Sequence, residues 1–209
     1  MVRRWVSSLR LAQAPPPERD ASSTFESDRE GLGENHLTPF DIRRAVPKDV
    51  RALAGLWREM MEFHHSLDPA FQFGTDAQAS IERHLAETVR SGGGRVFLAE
   101  ADGRIIGYIL GEIQERKPIY PAGRYGFISD LVVTERWRRR GVGRSLVRMM
   151  ASWFQQRGVT AIELFILETN PISTAFWESM GFRHYLRLLR CDLTEVQPGS
   201  QPRGREGEA

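Results

Sequence analysis

Chemistry in this chain concentrates in one short stretch, an acid at Asp130 followed by Arg138-Arg-Arg-Gly-Val-Gly143. A helix start carries unsatisfied backbone N–H groups and a partial positive charge, and glycines let an anion approach the main chain where a Cβ would obstruct it. Arg138, Arg139, Arg140 and Arg144 add formal charge, so the loop suits a pyrophosphate better than a carboxylate. A plainer reading makes it a solvated basic loop with Gly141 and Gly143 as turn residues, because a lone G-x-G is weak evidence. A nucleotide P-loop fits less well: it needs Gly-Lys-Ser/Thr, whereas Gly143 is followed by Arg144 and Ser145. The dinucleotide pattern G-x-G-x-x-G fails too, with Leu at position 146.

These residues need a strand before them and a helix after. Ile128 to Val133 is a short β-branched run suited to a buried strand, and Leu146, Val147, Met150 and Phe154 recur at helical spacing. A second stretch lies downstream, where an apolar strand from Ala161 to Leu167 leads to Asn170 and then to Ala175-Phe-Trp-Glu-Ser-Met-Gly-Phe182. Upstream, Phe40 to Val46 suggests an edge strand. Pro47 suits the first turn of a helix carrying Val50, Leu53, Leu56, Trp57, Met60 and Met61 on one face, which stops at Pro69. A second helix is expected over Asp76 to Arg90, ended by Gly92-Gly-Gly94. Asp102-Gly103 between apolar runs predicts a hairpin of Arg95 to Glu100 with Arg104 to Glu112.

The pattern R-x-x-G-x-G directly after a strand resembles the coenzyme A pyrophosphate loop of the GNAT N-acetyltransferases, with Arg138, Gly141 and Gly143 on the motif positions. The downstream stretch resembles that family's closing signature, whose Tyr-x-x-x-Gly-Phe falls on Trp177 to Phe182. The resemblance covers roughly residues 39 to 193. It implies an α/β fold with a mixed, mostly antiparallel sheet, splayed central strands and flanking helices. The expected order is strand, two helices, three strands, helix, strand, helix, strand, the last from Tyr185 to Leu193.

The resemblance also implies acetyl-CoA as cosubstrate. Main-chain groups of Leu131, Val132 and Val133 would accept the pantetheine arm as though it were an added strand, while Arg138, Arg139, Arg140, Gly141, Val142, Gly143 and Arg144 would surround the pyrophosphate. An N–H of Val132 or Val133 would face the thioester oxygen and stabilise the oxyanion. Asn170 would bind the pantetheine arm or cap the following helix, and capping is the preferred reading. Trp177 stands where many relatives carry a tyrosine that protonates the departing thiolate. Indole cannot do so, and a thiol with a pKa of about 8.5 can leave unaided. Tyr120 is the nearest replacement from a loop.

An attacking amine must be neutral, yet a lysine-type amine has a pKa of about 10.4, so a base is needed. Asp130 is the first candidate, because diamine acetyltransferases, which this stretch resembles, carry an acid there; binding a cationic acceptor is its other role. Glu112 and Glu163 are weaker candidates, with ordinary solvated or ion-paired acids as the plainer alternative. His64, His65 and Asp68 are possible acceptor contacts, although a histidine near a helix end more often serves the dipole and packing. Phe71 and Phe73 would line an acceptor pocket or close the core.

Composition bounds the rest. The 209 residues, 41% hydrophobic, suffice for one domain, expected at 39–194, between disordered tails at 1–38 and 195–209. Residues 1–12 faintly resemble a mitochondrial presequence, but a flexible tail is preferred. With 29 basic against 27 acidic residues, nucleic acid is not expected as a partner, nor is a membrane, since no apolar span occurs. The single cysteine, Cys191, rules out an intrachain disulfide and points to a reducing, cytoplasmic setting. No Cys/His cluster has metal spacing. The leading expectation is an acetyl-CoA-dependent N-acetyltransferase acting on a primary amine of a small molecule or protein, with a homodimer among the assemblies the resemblance suggests. Its alternatives are a non-catalytic acyl-CoA-binding or sensing module and an RNA-contacting arginine loop.

Overall fold

The computed structural model describes residues 40–91, 94–119 and 123–191. The tails expected at 1–38 and 195–209, the presequence-like start and Tyr120 lie outside the described residues.

In chain order the elements are β1 (Asp41–Arg44), α1 (Val50–Leu67), α2 (Ala77–Ser91), β2 (Gly94–Ala101), β3 (Arg104–Glu115), β4 (Arg124–Val133), α3 (Val142–Gln155), β5 (Ile162–Leu164) and α4 (Pro171–Ser179). The five strands form one sheet in the order β1-β2-β3-β4-β5, antiparallel except for the parallel β4–β5 pair. This is the mixed, mostly antiparallel α/β arrangement the sequence suggested. At the β2–β3 turn Asp102 and Gly103 both take positive φ, 51° and 70°, as a two-residue hairpin of matching twist requires.

Each face of the sheet has its own core. On one, Val96, Leu98, Tyr108, Leu110 and Val132 pack against Leu53, Ala54 and Leu56 of α1 and Ile81, Leu85 and Val89 of α2. On the other, Ala99, Ile106, Ile109 and Ile128 meet Val142, Leu146, Val147, Met150 and Phe154 of α3. The contact between α3 and the sheet is very close: a Cβ on Gly126 would lie 2.7 Å from three atoms of the Phe154 ring, and one on Gly111 would lie 2.8 Å from Met150 Sδ.

The start of the domain is fastened by Asp49. Its carboxylate accepts hydrogen bonds from both Arg43 terminal nitrogens (2.7 and 3.0 Å) and from the Val46 N–H (2.8 Å), while Arg43 also reaches Glu100 on β2. The Arg43 guanidinium holds the Asp49 pKa below its ordinary value of 3.8, against the opposing effect of burial. Asp49→Ala is expected to cost about 2–3 kcal/mol of stability at neutral pH, readable by urea denaturation. Because the folded-state pKa is depressed, this contribution is present above the unfolded value and is lost as pH falls through the folded one.

Two expectations are corrected. The strand predicted over Tyr185 to Leu193 does not form among the described residues: the segment is irregular, with Tyr185, Leu186, Leu188 and Leu189 exposed. Its apolar composition resembles that of a strand, but among the described residues it is tied by side-chain contacts, with Arg190 donating to the Ala70 carbonyl at 3.1 Å and Arg187 lying 3.5 Å from Glu168. The strand expected over Ala161 to Leu167 is shortened to Ile162–Leu164, and Phe165 turns outward into solvent.

Candidate functional site

The site is made by the way β4 leaves its neighbours. On one edge β4 pairs with β3 as far as Val133, but on the other it pairs with β5 only through Gly126–Ile162, Phe127–Glu163 and Ile128–Leu164. Beyond Ile128 the β5 side of the strand is unpaired by β5, so main-chain groups there face a gap. A bulge falls at the same point: Gly111 pairs with Ile128 and Leu110 with Asp130, leaving Ser129 as the extra residue.

Register decides which groups enter the gap. The Thr134 N–H donates to the Ile106 carbonyl, so by the alternation of an antiparallel pair Val132 also turns its main chain to β3, while Leu131 and Val133 turn theirs to the open side. Of Val132 and Val133, only Val133 therefore turns its main chain to the gap. Arg138 Nε approaches the Val133 carbonyl at 3.2 Å, and its guanidinium stacks over Phe63 of α1 at 5.4 Å.

The glycine loop sits at the end of that gap. Arg139 and Gly141 adopt left-handed backbone (φ 61° and 83°), and Gly141 is the N-cap of α3 with no side chain bonded back to the helix start. The leading amides of α3 are thus open to an anion. The Phe176 ring lies 3.4 Å from where a Cβ on Gly143 would be, and Val133 Cγ2 lies 3.8 Å away, so α3, α4 and β4 converge there. Open amides, glycines and four nearby arginines fit a pyrophosphate-bearing coenzyme.

Asp130 points to the α1/α2 face with Tyr108, Leu110 and Val132 and is 9% exposed. Burial pushes its pKa up to about 7, the Tyr108 hydroxyl pulls in the opposite direction, and the charge of Glu112 adds to the rise. Tyr108 Oη is buried and makes no hydrogen bond of ordinary geometry, although it stands near enough to Asp130 for each to shift the other's pKa. Removing the hydroxyl in Tyr108→Phe is expected to raise the midpoint of the pH–rate profile by up to about one unit, read from kcat/KM against pH.

The other sequence candidates separate by position. Glu163 is ion-paired with Arg116 at 2.6 Å. Glu112 lies on β3 on the same face as Asp130, with His84 3.9 Å away. Asn170 Oδ1 accepts the Ser173 N–H at 3.0 Å, so it caps α4. Trp177 is 8% exposed and wedged between Phe176 and Phe182, at 5.1 and 4.9 Å between ring centroids, which turns it into the core. His65 and Asp68 build the turn after α1, where Nδ1 lies 3.1 Å from the Phe71 carbonyl and Oδ1 accepts the Ala70 N–H. His64 stacks edge-on with Phe71, and burial lowers its pKa. Phe73 contacts Trp57 edge-on.

Sequence reasoning missed Tyr108, Phe63 and Phe176. Only Tyr108 left a signal, a phenol within the apolar run Ile105 to Leu110. Among the described residues no helix is long and apolar enough to cross a membrane, and no group of three or more His, Cys, Asp or Glu side chains is placed to hold a metal ion.

Comparison with known proteins bears on this geometry. The acetyltransferase (GNAT) family matches residues 57–182. The chain is 29% identical over 103 residues to an L-2,4-diaminobutyric acid acetyltransferase of Nocardia farcinica, a match covering 49% of this chain and 51% of the relative, so it spans about half the relative's length. Among solved structures, a tetramutant of a Bacillus halodurans protein superposes with a TM-score of 0.67 at 23% identity, over 73% of this chain and 99% of that one. A predicted acetyltransferase with acetyl-CoA from Clostridium acetobutylicum gives 0.63 at 17%, over 75% and 98%. At those identities the likeness is one of fold.

Proposed function

This chain belongs to the GNAT acetyltransferase family, and we propose that it transfers an acetyl group from acetyl-CoA to a primary amine by direct attack. The observation that carries the reading is the parting of β4 from β5 after Ile128, which leaves the Leu131 and Val133 main chain facing a gap near the start of α3, with Asp130 on the adjoining α1/α2 face of β4. Bound acetyl-CoA supplies an activated acyl group on a thiolate that leaves readily.

The chain's residues then divide the work. Main-chain groups of Leu131 and Val133 hold the arm of the cosubstrate, and the Arg138 to Arg144 loop holds its diphosphate through α3 amides and guanidinium groups. The Val133 N–H stabilises the oxyanion. Asp130, with a pKa near the working pH, takes the ammonium proton directly or through water and so frees the lone pair that attacks. No phenol occupies the position of Trp177, and the thiolate departs without a dedicated acid from this helix.

The relative's diaminobutyrate substrate agrees with a small cationic acceptor. A cytoplasmic setting agrees with the single cysteine. The test is isotope-labelled acetyl-CoA with a panel of amines, read by mass spectrometry. Label on an amine supports the proposal; coenzyme binding with no transfer to any amine would instead favour a sensing module.

A further inference from the structure

We propose that Glu112 anchors a second ammonium group of the acceptor, making the substrate class a short diamine or an amine with a second cationic centre. This rests on the acetyl-transfer reading above and adds to it what the acceptor must look like.

The placement follows from the strands. Tyr108, Leu110 and Glu112 alternate onto one face of β3, and Asp130 stands directly opposite Leu110. Glu112 is one pleat further along, so the two carboxyl groups lie on one surface roughly 7 Å apart. They also lack what neighbouring acids have. Asp49 and Glu100 share Arg43, and Glu163 has Arg116 at 2.6 Å. Among the described residues, the ion-pair partner recorded beside Glu112 is the His84 imidazole at 3.9 Å, beyond hydrogen-bond distance, and none is recorded on Asp130.

A second feature is the Tyr108 hydroxyl, fully buried, which makes no hydrogen bond of ordinary geometry although Asp130 stands near enough for each to shift the other's pKa. A buried polar atom left in that state is costly unless a ligand or water completes it. Two carboxyl groups on one face, one with only the long His84 contact and the other facing a buried hydroxyl of poor hydrogen-bond geometry, therefore suit a ligand that brings positive charge and donors. A monoamine engages Asp130 and leaves Glu112 unanswered; a dication satisfies both.

The far end of the strip limits length. Two positions beyond Glu112, Gln114 is bonded to Tyr125 Oη at 2.7 Å, and the Arg116 guanidinium covers the Tyr125 ring at 4.7 Å. A third ammonium running along the same face meets that cation, so a short spacer suits the site better than a longer polyamine.

The experiment compares 1,4-diaminobutane with 1-aminobutane as acceptors for wild type and Glu112→Gln, a partly exposed and nearly isosteric change. In wild type the diamine is expected to be favoured at least about tenfold in kcat/KM. Assayed at a pH well above the Asp130 midpoint, where loss of the Glu112 charge no longer changes the state of the base, Glu112→Gln should lower the diamine's kcat/KM about ten- to a hundredfold, mostly through KM, and leave the monoamine within about twofold. Loss of both acceptors alike, or a diamine preference that survives the substitution, overturns the proposal. If neither amine is acetylated while desulfo-coenzyme A still binds, the transfer reading itself falls and takes the inference with it.

Discussion

Asp130→Asn is expected to lower kcat/KM by about 10²–10⁴ and to abolish the rise of rate with pH expected of the wild type around pH 7. A base must be deprotonated to accept the ammonium proton, so under the proposed role of Asp130 wild-type activity should climb as pH passes the raised pKa and level above it. Stability should respond in the opposite sense. Asp130 binds its proton more tightly in the folded chain than in the unfolded one, so its contribution is intact below the unfolded value of 3.8 and declines as pH rises to about 7. A shift of that size corresponds to roughly 4 kcal/mol at most. The asparagine variant, which cannot ionise, should therefore melt above wild type at pH 8, and the gap should close near pH 4. Unchanged kinetics would remove Asp130 from the proton path. A gap of equal size at both pH values would show that burial of the charge is not what strains the wild type.

Gly141→Val is expected to weaken desulfo-coenzyme A about ten- to a hundredfold by calorimetry, with a smaller loss of stability. The residue has φ 83°, a conformation in which a β-branched side chain is strained by about 1–2 kcal/mol or more. Nothing lies within 4 Å of a Cβ built there, so the substitution does not disturb the core. Relief of the strain instead rotates the peptide at the N-cap of α3 and takes the leading amides off the anion. Retained affinity would mean that the arginines alone hold the diphosphate. The two substitutions should be separable, since Asp130→Asn leaves coenzyme affinity intact and Gly141→Val leaves the pH midpoint intact.

What the sequence reveals here depends on how local the cause is. Periodicity located α1, α2 and α3, and Asp102-Gly103 located the hairpin, because those signals lie within a few residues of one another. The Arg138 to Gly143 loop was legible because the amides of a helix start and the glycines that expose them are contiguous. The bulge at Ser129 was not, since it depends on the register of β4 against β3, and with it went the direction in which the main chains of Val132 and Val133 turn. Tyr108 escaped for the same reason: its value lies in facing Asp130 across a strand pair. The Tyr185 to Leu193 run shows the converse error, where apolar composition was read as a strand although pairing requires an available edge as well as suitable residues.

The two cores described above have a consequence for how such a protein can change. The helix that begins at the glycine loop is rooted in one side of the sheet through Phe154, Met150 and the bare surfaces of Gly126 and Gly111. Asp130, Tyr108 and Glu112 are rooted in the other side. Under the proposed function the sheet would act as a partition between a fixed grip and an exchangeable tool head: drift among residues on the α1/α2 face could retune selectivity without repacking the joint beneath the glycine loop.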